Sequence, residues 1–575
     1  MIKKLWPFTR NYRKFLLITP VMMIGEVLME TLIPLLMGKI VDVGIAGSNL
    51  GYVLKIGGLM VLMSVCSLAF GAGAARFSSV GGAGFAKQLR KALFDKVQTF
   101  SFFNIDRFST ASLVTRMTTD VNNAQNMVMM CTRMLFRAPF MLVIATILAA
   151  RINGELVMIF FVAVPILAVA IGLVMTKAHP RFAAMLKKYD ALNASVQENL
   201  IAIRVVKAFV RSDYEKDKFN KSAEDVRQMQ LKAEKLIIFM MPIMQMIVYV
   251  CICAVLWFGG NKIVQGTMLT GELISFISYV TQILMSLMMM SMLFLNLVLS
   301  RASLGRIIEV LDEVPDIQNG ENPVKEIPDG SIDFDDVYFN YKKDSDNYIL
   351  SDVNLHIKSG ETIGIIGGTG SAKSTLVQLI PRLYDVSKGK VCVGGHDVRD
   401  YDIEALRDAV AMVLQKNVLF SGSIRDNLRW GDKNATQEEI EAACRAAQAH
   451  DFIMSFPDGY DTDLGQGGVN VSGGQKQRLC IARALLKHPK VVILDDSTSA
   501  VDTATDASIR RALRDEFNHI TTLIIAQRIA SVMDADRIVV LNDGRIEDVG
   551  THDELMARSE IYREVYTSQM KGAEA

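Results

Sequence analysis

Residues Gly364 to Thr375 read GIIGGTGSAKST, an apolar strand that turns through a glycine-rich loop into Lys373, Ser374 and a helix from Leu376 onward. In such a loop the backbone N–H groups and the helix N-terminus cradle phosphates, the lysine reaches the outer ones, and the hydroxyl binds magnesium. Ala372 breaks the strict spacing G-x-x-x-x-G-K-[ST]. Downstream, Val491 to Asp496 (VVILDD) is a hydrophobic strand ending in two carboxylates, of which Asp495 is placed to hold the magnesium. Between the two, Val471 to Arg478 (VSGGQKQR) sets Ser472 and paired glycines at the start of a helix, where they can donate to a phosphate. Three such segments predict an α/β P-loop nucleotide-binding domain.

Upstream the chain changes character. Half of all residues are hydrophobic and 21% are charged, which excludes a disordered or nucleic-acid-coating chain. Seven cysteines without a C-x-x-C pair exclude a disulfide scaffold and offer no zinc spacing. The net charge of +1 hides an asymmetry, with 32 Lys and Arg against 16 Asp and Glu up to Arg301, and 30 against 45 beyond it. A basic, apolar half followed by an acidic one suggests a membrane domain joined to a soluble domain.

No charged residue lies between Lys55 and Arg76, Glu155 and Lys177, Lys235 and Lys262, or Glu272 and Arg301. Each run reaches the roughly 20 residues that span a bilayer as helix. Phe15 to Met37, interrupted by Glu26 and Glu30, and Met127 to Ala150, interrupted by Arg133 and Arg137, bring the spans to six. The expected fold is therefore an all-α six-helix transmembrane domain fused to the α/β P-loop domain, with bounds 1–305, a linker 306–330, and 331–575. Lys3, Lys4, Arg10, Arg13 and Lys14 precede the first span and place the N-terminus in the cytoplasm, to which six crossings return the chain. The protein is expected as multi-pass in the cell inner (plasma) membrane, with the basic inner segments 77–132 and 178–235 continuing as helix below it. The basic start leads into a full-length span, which does not fit a cleavable signal. Glu26 and Glu30 stand one helical turn apart on one face. Carboxylates are costly in hydrocarbon, so these should face a cavity or a basic partner, as a polar wall of a pathway or as a structural pair.

Given these motifs in this order behind six spans, the chain resembles the ABC exporters over essentially its whole length, and VSGGQ is similar to their signature motif. The resemblance implies ATP and Mg2+ as ligands, with Gly367, Thr369, Gly370, Ser371, Lys373, Ser374 and Thr375 of the loop on the phosphates. It implies that Tyr341 stacks on adenine and that Gln415 reaches magnesium beside Ser374 and Asp495. It also implies that Ser472, Gly473, Gly474 and Gln475 complete the ATP site of a second half-transporter. Gly465 and Gln466 stand where the family has Gly-Glu, and Ser499 to Asp502 matches the loop that speaks across the dimer. Segments around Arg107 to Asp120 and Glu198 to Tyr214 resemble the family's intracellular loops, whose short coupling helices dock on nucleotide-binding domains. The partners so implied are a second half-transporter, the lipid bilayer and an amphipathic small molecule, with no nucleic acid.

Three positions depart from the family pattern. Asp496 stands where hydrolysing members place a Glu that polarises the attacking water, one methylene shorter. Gln527 stands at the switch position where the family has His, and an amide cannot carry the imidazolium charge. Ala372 puts a methyl beside the phosphates, which matters if that residue needs φ > 0. With VSGGQ whole, the pattern resembles the degenerate-site subunit of heterodimeric bacterial multidrug-type exporters. On that reading Lys373, Ser374 and Asp495 hold ATP longer than they cleave it, and the partner's ATP is hydrolysed against this chain's signature. The alternatives are a homodimer hydrolysing slowly through Asp496, a non-hydrolysing regulatory subunit, and a lipid flippase.

Overall fold

The computed structural model describes residues 2–342 and 347–574. The chain forms two compact units, one of residues 1–98 and 110–313 and one of residues 99–109 and 314–575.

The first unit is helical. Among the described residues six helices are long and apolar enough to cross a membrane, and their apolar windows are mostly not buried inside the protein, as lipid-facing helices require. The Leu50–Gln98 helix has 49 residues, about 74 Å at 1.5 Å per residue, more than twice the ~30 Å hydrocarbon layer. The spans therefore do continue as helix beyond the membrane. The last helix, Thr270–Asp312, runs eleven residues past Arg301 because Ile307 and Val310 are buried and keep the apolar stripe going. Where the first and last spanning helices meet, a methyl group at Gly271 would overlap the Gly38 carbonyl, so the backbones touch. Small residues at such a crossing allow this approach. Ser275 Oγ donates to the Pro34 carbonyl at 2.7 Å and Tyr279 Oη to the Thr31 carbonyl at 2.9 Å across the same contact.

Glu26 and Glu30 have the basic partner. Arg137 bonds the Glu26 carboxylate through one guanidinium nitrogen and Glu30 at 2.8 Å through another. A residue that interrupts one span thus satisfies two that interrupt another.

The second unit is a sheet protein. Its six-stranded sheet runs in the order Arg545–Gly550, Arg537–Asn542, Thr362–Ile366, Thr521–Ile525, Val491–Asp495, Val410–Val413. Only the first of these strands is antiparallel to its neighbour. The VVILD and TTLII strands are buried throughout, the unbroken apolar run of a sheet covered on both faces. One face carries helices Gly473–Leu485 and Gln437–Ala446. The other packs against a four-stranded antiparallel sheet that includes Ile332–Phe339 and Leu350–Ile357.

The short helix Phe102–Phe108 belongs to this second unit. Ser101 caps it in a capping box with Asn104 and donates from its hydroxyl to Asp316. Phe102 and Phe103 pack on the sheet core, and Tyr384 Oη donates to Asp106 at 2.8 Å. The docked helix is thus centred upstream of the expected Arg107 to Asp120. Residues 110–120 lie in the helical unit, where Arg306 forks onto Asp120 at 2.5 and 2.8 Å and Arg116 reaches Glu309 at 2.8 Å. In the second expected loop, Val205 of the Ile203–Ala208 helix and the flanking Ile201, Phe209 and Val210 are exposed.

Candidate nucleotide site

Parallel strands project their loops from one edge, and ligands bind at their carboxyl ends. Four adjacent strands of the second unit end at Ile366, Val413, Asp495 and Ile525. Within two residues of these ends stand the start of the glycine-rich loop, Gln415, Asp496 and Gln527, so segments up to 160 residues apart in sequence converge. The decisive feature is the Thr521–Ile525 strand, which inserts between the loop strand and the VVILD strand. It brings Gln527 to the same edge, where its amide reaches Asp496.

The loop joins the Thr362–Ile366 strand to the helix Lys373–Gln378, which begins three residues before the expected Leu376. Gly367 lies so close to the Leu541 carbonyl that a side chain there would overlap it, and Gly370 has φ of 85°. Ala372 has φ of 71° and is the residue before the Lys373–Gln378 helix. Left-handed backbone costs an L-residue about 1–2 kcal/mol, so the methyl stands where glycine fits. Replacing Ala372→Gly should stabilise the nucleotide-binding unit by about 0.5–1 kcal/mol after the glycine's extra unfolded-state entropy is deducted. A rise of about 1–3 °C in its melting temperature checks this; a fall would mean that the methyl's packing against the core outweighs the strain.

Lys373 Nζ donates to the carbonyls of Gly367 at 3.0 Å and Gly368 at 2.8 Å and to Ser371 Oγ at 3.3 Å. Its ammonium therefore sits inside the curl of its own loop. Burial pushes its pKa below the ordinary lysine value, against the pull of Asp496 and Asp495. Ser374 Oγ donates to Asp495 Oδ1 at 2.9 Å. Burial raises the Asp495 carboxyl, with the nearby Asp496 adding to it and Ser374 and Lys373 opposing. A buried carboxylate oxygen set beside a hydroxyl fits a hard divalent cation that retains waters and phosphate oxygens as its other ligands. Among the described residues no cluster of three or more His, Cys, Asp or Glu forms a self-sufficient metal cage.

Asp496 follows with φ of 49°, its N–H donating to the Ile525 carbonyl at 3.0 Å. Its Oδ2 accepts from the Gln527 amide at 2.8 Å and from the Gln415 amide at 3.3 Å. Gln415 is thus brought to Asp496, on the same edge as Ser374 and Asp495. Tyr341 also arrives at the loop. Its hydroxyl lies 3.1 Å from Thr375 Oγ1, and its half-buried ring meets Tyr384 edge-on at 5.0 Å between centroids. Thr369 and Gly370 lie at the exposed tip of the loop.

Ser472, Gly473, Gly474 and Gln475 form a different constellation, at the N-terminus of the Gly473–Leu485 helix. Ser472 Oγ accepts from the Gln475 N–H, while the Gln475 side chain accepts from the Ser472 N–H at 2.8 Å, a reciprocal cap. These side chains are hydrogen-bonded within their own cap and not to the phosphate loop. Gly474 lies against the Ala500 carbonyl, 2.8 Å from where a Cβ would stand, and Gln477 bonds both Ser499 Oγ and the Ala500 N–H. The Ser499–Asp502 loop is therefore clamped between the signature helix and Asp496, whose carbonyl accepts from Ser499 Oγ at 3.0 Å.

Sequence reasoning passed over two residues at this edge. Tyr384 joins Tyr341 to Asp106 of the docked helix. An aromatic two turns beyond the loop helix is the only signal for it. Gln569 contacts the loop of Gln527, and the available hint is a polar residue continuing the stripe of Tyr562 and Tyr566.

Comparison with known proteins agrees with this architecture. The family model for the ABC transporter transmembrane region matches residues 16–287, and the ABC transporter model matches residues 350–499. The chain is 38% identical to the uncharacterized ABC transporter ATP-binding protein YfiB of Bacillus subtilis (strain 168), over 99% of this chain and 98% of that one. It is 34% identical to an ATP-dependent lipid A-core flippase of Desulfotalea psychrophila, over 82% of each. Among solved structures, a bacterial Atm1-family ABC exporter with ATP bound has the same fold, with TM-score 0.83, 24% identity, and coverage of 97% of this chain and 98% of that one.

Proposed function

The chain belongs to the ABC transporter family as an exporter half-transporter, one membrane domain fused to one ATP-binding domain, and from that premise we propose that it is the degenerate-site half of a heterodimeric exporter. The observation that carries this is Asp496. Its carboxylate is a methylene short of the family's Glu and accepts both the Gln527 and the Gln415 amide on one oxygen. A group held in that way is poorly placed to polarise water in line with a γ-phosphate.

Lys373 and the loop N–H groups bind the phosphates of ATP, with Tyr341 at the base. Ser374 and Asp495, with Gln415 beside them, would hold Mg2+, which when bound neutralises charge on the phosphates. The intact cap of Ser472 to Gln475 offers N–H groups at a helix terminus to the partner's ATP. ATP then acts at this chain's own loop as a clamp between the two halves, and the partner supplies the cutting Glu and His. Closure of the nucleotide-binding domains reaches the membrane through the docked Phe102–Phe108 helix and through the exposed Ile203–Ala208 segment, which suits the partner's domain.

The basic N-terminus supports a cytoplasmic N-terminus and nucleotide-binding domain in the inner (plasma) membrane. For cargo we infer an amphipathic small molecule or lipid. The kinship with a lipid A-core flippase supports it, as does an apolar cavity of about 790 Å³ lined by helices Met158–Ile201 and Met240–Val264, with Lys262, bonded to Glu155 at 2.6 Å, also in its lining.

Steady-state ATPase of the purified chain, of the chain with its partner, and of that pair carrying Glu→Gln at the partner's catalytic position tests the reading. The expected result is brisk turnover only for the unmodified pair, with the partner's Glu→Gln removing nearly all of it. Substantial turnover left in that mutant pair, or brisk turnover by this chain alone, would overturn it.

A further inference from the structure

The last helix, Glu560–Glu574, reaches the loop that carries Gln527. It is seated by Tyr562, which is fully buried and whose hydroxyl lies 2.8 Å from His552 Nδ1, and by the partly buried Val565 and Tyr566. Gln569 continues that face at i+7 from Tyr562 and i+3 from Tyr566. A polar residue ends an apolar stripe, and both ends of its amide are used. Gln569 Nε2 donates to the Gln527 carbonyl at 2.7 Å, and Gln569 Oε1 accepts from the Ile529 N–H at 2.9 Å. Ile529 opens the single turn Ile529–Ser531, so its N–H belongs to the donors a helix cannot satisfy internally.

One side chain therefore braces the backbone of 527–529 from both directions, much as a neighbouring strand would. On the other side of the loop the Gln527 amide donates to Asp496 Oδ2 at 2.8 Å. The links run from the C-terminal helix through Gln569 and the Gln527 backbone to the carboxylate of the nucleotide site.

We propose that Gln569 is a positioning residue of that site: by bracing the 527–529 backbone it fixes where the Gln527 amide points, and with it how long ATP stays on this chain's phosphate loop. The inference rests on the clamp reading of the site and adds a determinant of the clamp's lifetime outside the motifs.

The test uses the full-length chain with its partner in lipid nanodiscs, as wild type, Gln569→Leu, Gln527→Ala and the double variant. Leucine keeps most of the packing volume and removes both hydrogen bonds. Two quantities are read: the dwell time of labelled ATP after a chase with unlabelled ATP, and amide hydrogen exchange over 524–532 and over 560–568. Loss of two side chain to backbone bonds should shorten the dwell by on the order of tenfold and speed exchange at 527–529 similarly, with 560–568 unchanged. Because both residues act through one contact, the double variant should be no worse than Gln527→Ala.

A Gln569→Leu dwell within twofold of wild type overturns the proposal, as does unchanged exchange at 527–529. Faster exchange at 560–568 also overturns it, since Gln569 would then only hold the helix down. If wild type itself releases ATP as fast as a Lys373→Ala variant, the clamp reading fails instead, and the exchange measurement still judges the bracing.

Discussion

Asp496→Glu combined with Gln527→His is expected to raise ATP turnover of the purified, self-paired chain by about 100-fold. Glutamate returns the missing methylene, and about 1 Å of displacement in a positioning group is worth on the order of 100-fold in rate. Histidine removes the amide that now occupies Asp496 Oδ2 at 2.8 Å and adds a cationic donor for the phosphate. The two changes meet on one carboxylate, so they should not add: each alone is expected to give less than tenfold. Phosphate release at saturating Mg-ATP measures all three variants. If the double variant stays within twofold of wild type while still binding ATP, the two substitutions are not what limits this site, and Ala372 or the membrane domain must be.

The second large effect lies in the membrane unit. Arg137→Met should cost about 1–3 kcal/mol, less than for a fully buried pair because Glu30 is about a third exposed, since it leaves the two carboxylates without their cation. The expected readout is loss of monodisperse protein after detergent extraction and a sharply lowered melting temperature. Neutralising the carboxylates as well, in Arg137→Met with Glu26→Gln and Glu30→Gln, should recover most of the loss, since replacing a whole ion cluster removed from water is often close to neutral. If the single variant is as stable as wild type, the triad is hydrated and serves the pathway. If the triple variant is stable but transport is lost, it serves both purposes.

Those two sites show how far local sequence carries. Glu26, Glu30 and Arg137 each announce themselves as breaks in an apolar run, and the cost of a lone charge in hydrocarbon says that partners exist. Which partner lies 107 or 111 residues away depends on helix packing. Asp496 and Gln527 likewise stand out against the motifs that surround them. That both side chains and Gln415 share a single oxygen depends on strand order. The docked helix is a milder case. The resemblance points to a docking segment around Arg107 to Asp120, but the residues after Phe108 carry no local mark of which unit they join. Their ion pairs with Arg306 and Glu309 assign them to the helical one.

Taken by itself, the sequence determined the six spans, the P-loop domain behind them and the chemistry available at each motif, because hydropathy, residue type and short spacings are local quantities that survive without coordinates. Tertiary structure alone decided that the Thr521–Ile525 strand lies between the Thr362–Ile366 and Val491–Asp495 strands, that Arg137 closes the Glu26 and Glu30 pair, and that Gln569 bonds the 527–529 backbone. Each of these joins segments whose separation along the chain has no bearing on their distance in space, since burial of apolar faces and satisfaction of backbone and charged groups select the pairing only when the whole chain is folded.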